Sequence, residues 1–173
     1  MSSSRQTALA SVLVGLVAAL LTVSCATKPS PDLGDAAVLG PDEGALLVRF
    51  HAVQATGLLA IHHGAVSLPY AAFAIQPNED LKVVKIKAAE GLRISTYKVG
   101  NKMAYFDNTK LNFDVRPQTI TYIGDVFVDE QAKYVGLRLA DNEATTRALA
   151  VSIYPSLFAR YGYAKYIPGI KKQ

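Results

Sequence analysis

FDVRPQTITYIGDVFV, residues 113–128, decides the fold class. Leu111, Phe113 and Val115 alternate with Asn112 and Asp114, the period of a strand with one buried face. Arg116-Pro117 then makes a corner, because the proline ring pushes the residue before it out of helical geometry. The run that rises from it is dominated by β-branched and aromatic side chains, which suit a pleated sheet. Gly124 inside the run predicts a bulge or a close backbone approach.

Working outward, the same signals recur. ALLVRFHAVQA (45–55) puts Leu46, Val48, Phe50 and Ala52 on one face and Arg49 and His51 on the other, as in a half-buried strand. Gly57 and Gly64 bracket LLAIHH, and Pro69 and Pro77 bracket YAAFAIQ. Asn78-Glu79-Asp80 is a turn cluster before the strand Leu81–Ala88. LRISTYKV follows Gly91, Gly100-Asn101 turns the chain into KMAYF, and Ala132–Leu139 gives a further strand. Short strands with turn signals every 8 to 12 residues predict a mainly β domain, an antiparallel sandwich. The strand–helix alternation of a doubly wound fold is missing.

The period changes at Asp141-Asn142, which can cap a helix starting at Glu143. Leu149, Ala150, Ile153, Tyr154, Leu157 and Phe158 recur at helical spacing. One C-terminal amphipathic helix is therefore expected over about residues 142–161, kinked or restarted near Pro155, which lacks an amide hydrogen. Its apolar face should lie on the sandwich or across one open end.

Upstream, Ala26–Gly44 carries Pro29, Pro31 and Pro41 with Gly34, Gly40 and Gly44. It reads as a flexible linker, about 60 Å at full stretch and about 25 Å as a coil. Before it, Met1–Thr7 is polar with Arg5, and Ala8–Leu21 is an uncharged apolar run. Those roughly 14 residues make only about 21 Å of helix, short of the ~30 Å a bilayer core requires. A charged start, a short apolar middle and small residues after it form the secretory pattern.

Leu21-Thr22-Val23-Ser24-Cys25 ends that run and holds the chain's only cysteine. The stretch resembles the lipobox of bacterial lipoproteins, although threonine holds the place usually leucine. The resemblance implies a diacylglyceryl thioether on Cys25 and removal of a signal peptide, residues 1–24. Cys25 would then be the acylated first residue of the mature protein, and two or three acyl chains hold a protein firmly to a bilayer. Ala26, where aspartate commonly retains such proteins in the inner membrane, favours the outer membrane and its periplasmic side. The competing readings are a signal anchor with an incidental cysteine and ordinary cleavage that leaves a free thiol.

Residues 45–173 then form one domain behind the lipidated linker 25–44, large enough to fold without staples. With Cys25 consumed, no intramolecular disulfide is available. At FDVRPQTITYIGDVFV the domain is similar to small envelope lipoproteins of unassigned function and to the transthyretin-like sandwich modules appended to carboxypeptidases. DNEATTRALAVSIYPSLFARY is similar to the helix that closes some of these chains. Many members have Pro-Gly at the corner, where this chain has Pro117-Gln118. The resemblance implies a β-sandwich and carries no catalytic residue across.

The formal net charge of +4 is spread along the chain, not gathered in a stripe that would bind nucleic acid. Lys82, Lys85 and Lys87 read as the solvated face and end of a strand. Metal binding would draw on His51, His62 and His63, but adjacent residues of a strand point opposite ways, so no metal site is expected. No Gly-x-Ser-x-Gly elbow or phosphate-binding glycine loop is present, and Ser67 near His62 and His63 is weak evidence for a nucleophile. Asp42-Glu43, Glu79-Asp80 and Asp129-Glu130 read as solvated turn acids rather than a glycosidase pair. Tyr154, Phe158, Tyr161, Tyr163 and Tyr166, with Arg160 and Lys165, read as core packing with hydroxyls at the rim, or as an exposed patch for a partner. The expectation is a non-enzymatic, cofactor-free envelope protein, bound to the membrane through Cys25 and contacting other envelope proteins. The alternative is a carbohydrate- or peptidoglycan-binding module on the same scaffold.

Overall fold

The computed structural model describes residues 32–51, 53–64, 69–77, 81–105, 112–130 and 135–167. Cys25, the leader, Ser67 and Glu79-Asp80 lie outside the described residues. The strands are β1 (Glu43–His51), β2 (Gly57–His63), β3 (Ala71–Ile75), β4 (Leu81–Lys87) and β5 (Ala89–Val99). They continue with β6 (Lys102–Tyr105), β7 (Asn112–Val115), β8 (Thr119–Glu130) and β9 (Val135–Ala140). Helices α1 (Glu143–Ile153) and α2 (Pro155–Arg160) follow, and β10 (Gly162–Lys165) comes last.

Two sheets face each other, as the sequence predicts for a mainly β sandwich. The first runs β10-β8-β1-β4, with β9 also on β8; the second runs β3-β2-β5-β6, with β7 also on β5. The second sheet is antiparallel throughout. The first is mixed, because β8 lies parallel to both β1 and β10. Between the sheets sit Leu46, Val48 and Phe50 of β1, Phe73 of β3, Ile94 and Tyr97 of β5, and Val126 of β8.

A second core lies on the other side of the first sheet. Ala45, Leu47, Val83, Ile120 and Tyr122 meet Ala150 of α1 and Leu157 of α2 there. The expectation of a half-buried first strand is thereby corrected: Ala45–Val48 is buried on both faces, because the helices roof the face assigned to solvent. Continuous apolar runs such as ALLV are the mark of such strands. The helix breaks at Tyr154 and restarts with Pro155 at its first position, where the missing amide hydrogen costs nothing.

The linker expectation is corrected from Asp32 onward. Leu33 and Leu39 are buried in the second core. Leu33 N donates to Val83 O at 2.7 Å, and Asp32 forms an antiparallel bridge with Val84. These contacts cover the outer edge of β4, which would otherwise present unpaired backbone groups. Further along, Asp35 Oδ1 accepts Leu157 N at 3.0 Å, and Arg160 donates to Ala37 O. Lys82 is also corrected. It is only 4% exposed, and its ammonium meets Asp32 Oδ2 at 2.7 Å. Lys85 and Lys87 pair with Glu43 and Asp42.

Gly124 sits in a bulge. Leu47 pairs with Tyr122 and Arg49 with Asp125, so two β8 residues oppose Val48. Its φ of +106° lies in the region that favours glycine, and an added Cβ would come within 3.3 Å of Ala140 O. On its far side β8 changes partner here, from β10 along Thr119–Tyr122 to β9 along Asp125–Glu130. The corner carries the other special backbone: Gln118 has φ +54°. Its amide N donates to Glu43 O at 2.8 Å and its side chain to Leu39 O at 3.1 Å, with a shorter contact to Gly40 O. The side chain thus ties the 32–42 segment to the corner and offsets the strain. Gln118→Ala keeps the strain and loses the ties, whereas Gln118→Gly loses the ties and the strain together. Denaturant unfolding should therefore place Ala below both wild type and Gly, about 1–2 kcal/mol below Gly.

Candidate functional site

The most concentrated polar chemistry lies under α1, on a carboxylate in the middle of β8. Asp125 is fully buried. Its Oδ1 accepts the hydroxyls of Tyr122 and Thr146, each at 2.8 Å. Its Oδ2 accepts His51 Nε2 at 2.8 Å and Asn142 Nδ2 at 3.1 Å. Each oxygen therefore takes two donors, and the carboxylate has little acceptor capacity left. Burial alone would raise this carboxyl, but the four bonds from His51, Thr146, Tyr122 and Asn142 outweigh it and hold the group below the ordinary aspartate range.

Three elements supply the donors for local reasons. The bulge at Gly124 brings Asp125 onto the face already used by Tyr122. Asn142 is the N-cap residue of α1, as expected, but its side chain makes no cap bond. It reaches Asp125 instead, while its amide N donates to Tyr122 Oη at 3.1 Å. Thr146, one turn on, is fully buried on the same helix face. Burial, with the bond to Asp125 second, pushes the Tyr122 phenol above its ordinary range, so it stays a neutral donor. The negative carboxylate also lies by the positive end of the helix. The cluster thus pins the first turn of α1 to the sheet.

His51 is the half-exposed member. Donation from Nε2 to a carboxylate leaves Nδ1 to carry the lone pair of the neutral ring. The imidazole stacks on Phe127, with ring centroids 4.3 Å apart and planes 9° apart. From the β9 side, the Arg138 guanidinium lies 4.2 Å from the Phe127 centroid. His51 pairs with Phe127, and Phe127 with Arg138, so the three form one cross-strand row. A histidine–carboxylate pair could orient a general base. Among the described residues, however, no serine, threonine or cysteine is hydrogen-bonded to His51.

The other sequence candidates are dispersed. His62 and His63 lie on β2, in the opposite sheet from His51. His62 pairs in register with Arg93, and burial followed by the Arg93 charge lowers its pKa. His63 packs edge-on to Tyr70. Among the described residues, no group of three or more His, Cys, Asp or Glu side chains is placed to hold a metal. Glu43 salt-bridges Lys85, and Glu130 accepts the Tyr97 hydroxyl at 3.1 Å. Of the C-terminal aromatics, Tyr161 is buried and its hydroxyl accepts Leu39 N at 2.7 Å. Tyr163 is half-buried beneath Arg147. The exposed-patch reading of Tyr161 and Tyr163 gives way to core packing. Asp125 itself was legible only as a lone acid within an apolar strand, a position charged residues seldom occupy without partners.

Family models, curated proteins and solved structures were each compared with the chain, and none matches it.

Because the folded state depresses the Asp125 pKa, the stability it contributes is complete above the ordinary value of ~3.9 and drains away as pH falls through the folded-state value. Asp125→Ala should cost on the order of 3 kcal/mol at neutral pH, since four donors lose their acceptor. In thermal melts from neutral pH downward, the gap between wild type and Asp125→Asn should narrow once pH drops below ~4.

Proposed function

We propose that this chain is a lipid-anchored protein of the bacterial cell envelope with a non-enzymatic structural or interaction role. The observation that carries the reading is Leu21–Cys25: a short apolar leader ending in a lipobox-like stretch at the chain's only cysteine. The lipid joins Cys25 through its sulfur, and Ala26 directs the protein to the outer membrane, facing the periplasm. No helix among the described residues is long and apolar enough to cross a membrane, so on this reading attachment falls to the acyl chains.

A non-enzymatic role is supported by the state of the best polar cluster. Both oxygens of Asp125 are taken up in holding α1, which suits a clamp better than a proton acceptor. The glycan-binding alternative has less support. A sugar ring stacks on an open aromatic face, and Phe127 has His51 and Arg138 packed against it.

Cys25→Ser in the native host tests the anchor. Wild type should sediment with the membranes and carry the mass of a diacylglyceryl-modified, leader-free chain. The serine variant should lose that added mass and leave the outer-membrane fraction. Unaltered mass together with unaltered partitioning would overturn the proposal.

A further inference from the structure

The chain enters the folded body at a particular place. Asp32 bridges the β4 edge. Residues 33–39 then run along α2, held by Asp35 on Leu157 N and by Arg160 on Ala37 O. Burial alternates along this segment. Leu33 and Leu39 sit in the second core, whereas Gly34, Ala36 and Val38 are exposed. Val38 is the most open of them among apolar side chains of size, at 69%.

The helices beside this segment turn similar chemistry outward. No residue from Ala148 to Ala159 is charged. Val151 is 39% exposed, and Ile153, two positions before Pro155 opens α2, is 48% exposed. A solvated helix normally sets charged side chains on its outer side. After Glu143, the charges of α1 and α2 are Arg147 and Arg160 alone. Arg147 lies over the Tyr163 ring and Arg160 donates to Ala37 O, yet both side chains remain exposed. Asp35 is the single acid of residues 33–39, and it is engaged with Leu157 N at 3.0 Å.

We propose that residues 34–38, with the outer side of α2 and the end of α1, rest on the phospholipid surface that holds the anchor. Val38 and Ile153 enter the headgroup boundary, and Arg160 stands beside the phosphates. Apolar side chains flanked by cationic ones suit such a boundary. The inference rests on the anchor reading above and adds an orientation to it. Seven residue steps separate Cys25 from Asp32, at most about 24 Å of chain. The residues that follow are the patch itself, so a lipid on Cys25 brings this part of the body to the bilayer. The patch is small and would hold a free protein weakly. A short tether makes its docking intramolecular, and modest contacts then suffice. A second copy has no such advantage.

The test uses the full protein isolated from its host, its lipid verified by mass. With the Cys25 sulfur in a thioether, an introduced cysteine is the one free thiol. Reporters at Val38→Cys and Ala159→Cys, and at Met103→Cys on β6 of the other sheet as control, carry an environment-sensitive dye. They are read on phosphatidylethanolamine–phosphatidylglycerol vesicles with spin-labelled lipid as quencher. Quenching at Val38 and Ala159 that is absent at Met103 is the expected result. Val38→Glu should weaken the Ala159 quenching several-fold, because it removes one apolar side chain from the boundary. The melting temperature should stay unchanged, which a structural role for Val38 would not allow.

Lipidated, vesicle-bound protein whose Val38 and Ala159 labels stay unquenched, or whose three labels are quenched alike, overturns the docking face and leaves the anchor intact. Protein whose mass shows no lipid overturns the anchor and the docking with it. Labels already shielded in dilute, vesicle-free solution, as by a second copy, also overturn the proposal.

Discussion

A strand with both faces buried must be roofed twice, and β8 imposes that requirement on the whole molecule. Ile123, Val126 and Val128 face the second sheet, while Ile120 and Tyr122 face the helices. A charge in such a strand is tolerable only with its hydrogen bonds complete. Asp125 meets that condition by recruiting His51 from β1 and Asn142 and Thr146 from α1. The same carboxylate therefore fixes where the helical layer begins. Lys165 reinforces this from β10, bridging Asp141 and Glu143 at 2.5 and 3.3 Å.

The second roof needs more than helices. α2 is one and a half turns long and could not hold its place alone. Residues 33–39 run beside it and exchange bonds with it through Asp35 and Arg160. Tyr161 closes the arrangement, its ring in the core and its hydroxyl on Leu39 N. Each buried side chain the size of Leu33, Leu39 or Leu157 contributes about 2 kcal/mol from apolar burial. The chain entry is thus part of the body, and any anchor on Cys25 connects to the fold through a short lead.

Much of this was legible in the sequence because local chemistry governs it. The strands around Phe113–Val128, the bulge at Gly124, the N-cap at Asn142 and the restart at Pro155 each rest on a few neighbouring residues. What was not legible depends on partners distant in the chain. Parallel pairing of β1 with β8 joins segments some 75 positions apart and leaves no periodic trace. Leu33 and Leu39 stand in a proline- and glycine-rich stretch with no period, so their burial was invisible until the helices offered a surface. Lys82 read as solvated because its partner, Asp32, lay in the supposed linker. Asp125 is not legible as a site because the sequence shows an isolated acid but not the four donors that converge on it. Gln118 gave no local signal: its left-handed backbone is held by side-chain bonds to Leu39 and Gly40, almost eighty positions away.

Native-state hydrogen exchange followed residue by residue tests the central claim, that the helices and residues 33–39 form an integral layer of the fold. The account predicts that the amides of Leu33, Leu39, Ala150 and Leu157 exchange only through openings nearly as costly as those that release Ile120–Val126 of β8. Exchange of those four amides orders of magnitude faster than β8, with the sandwich intact, would contradict it.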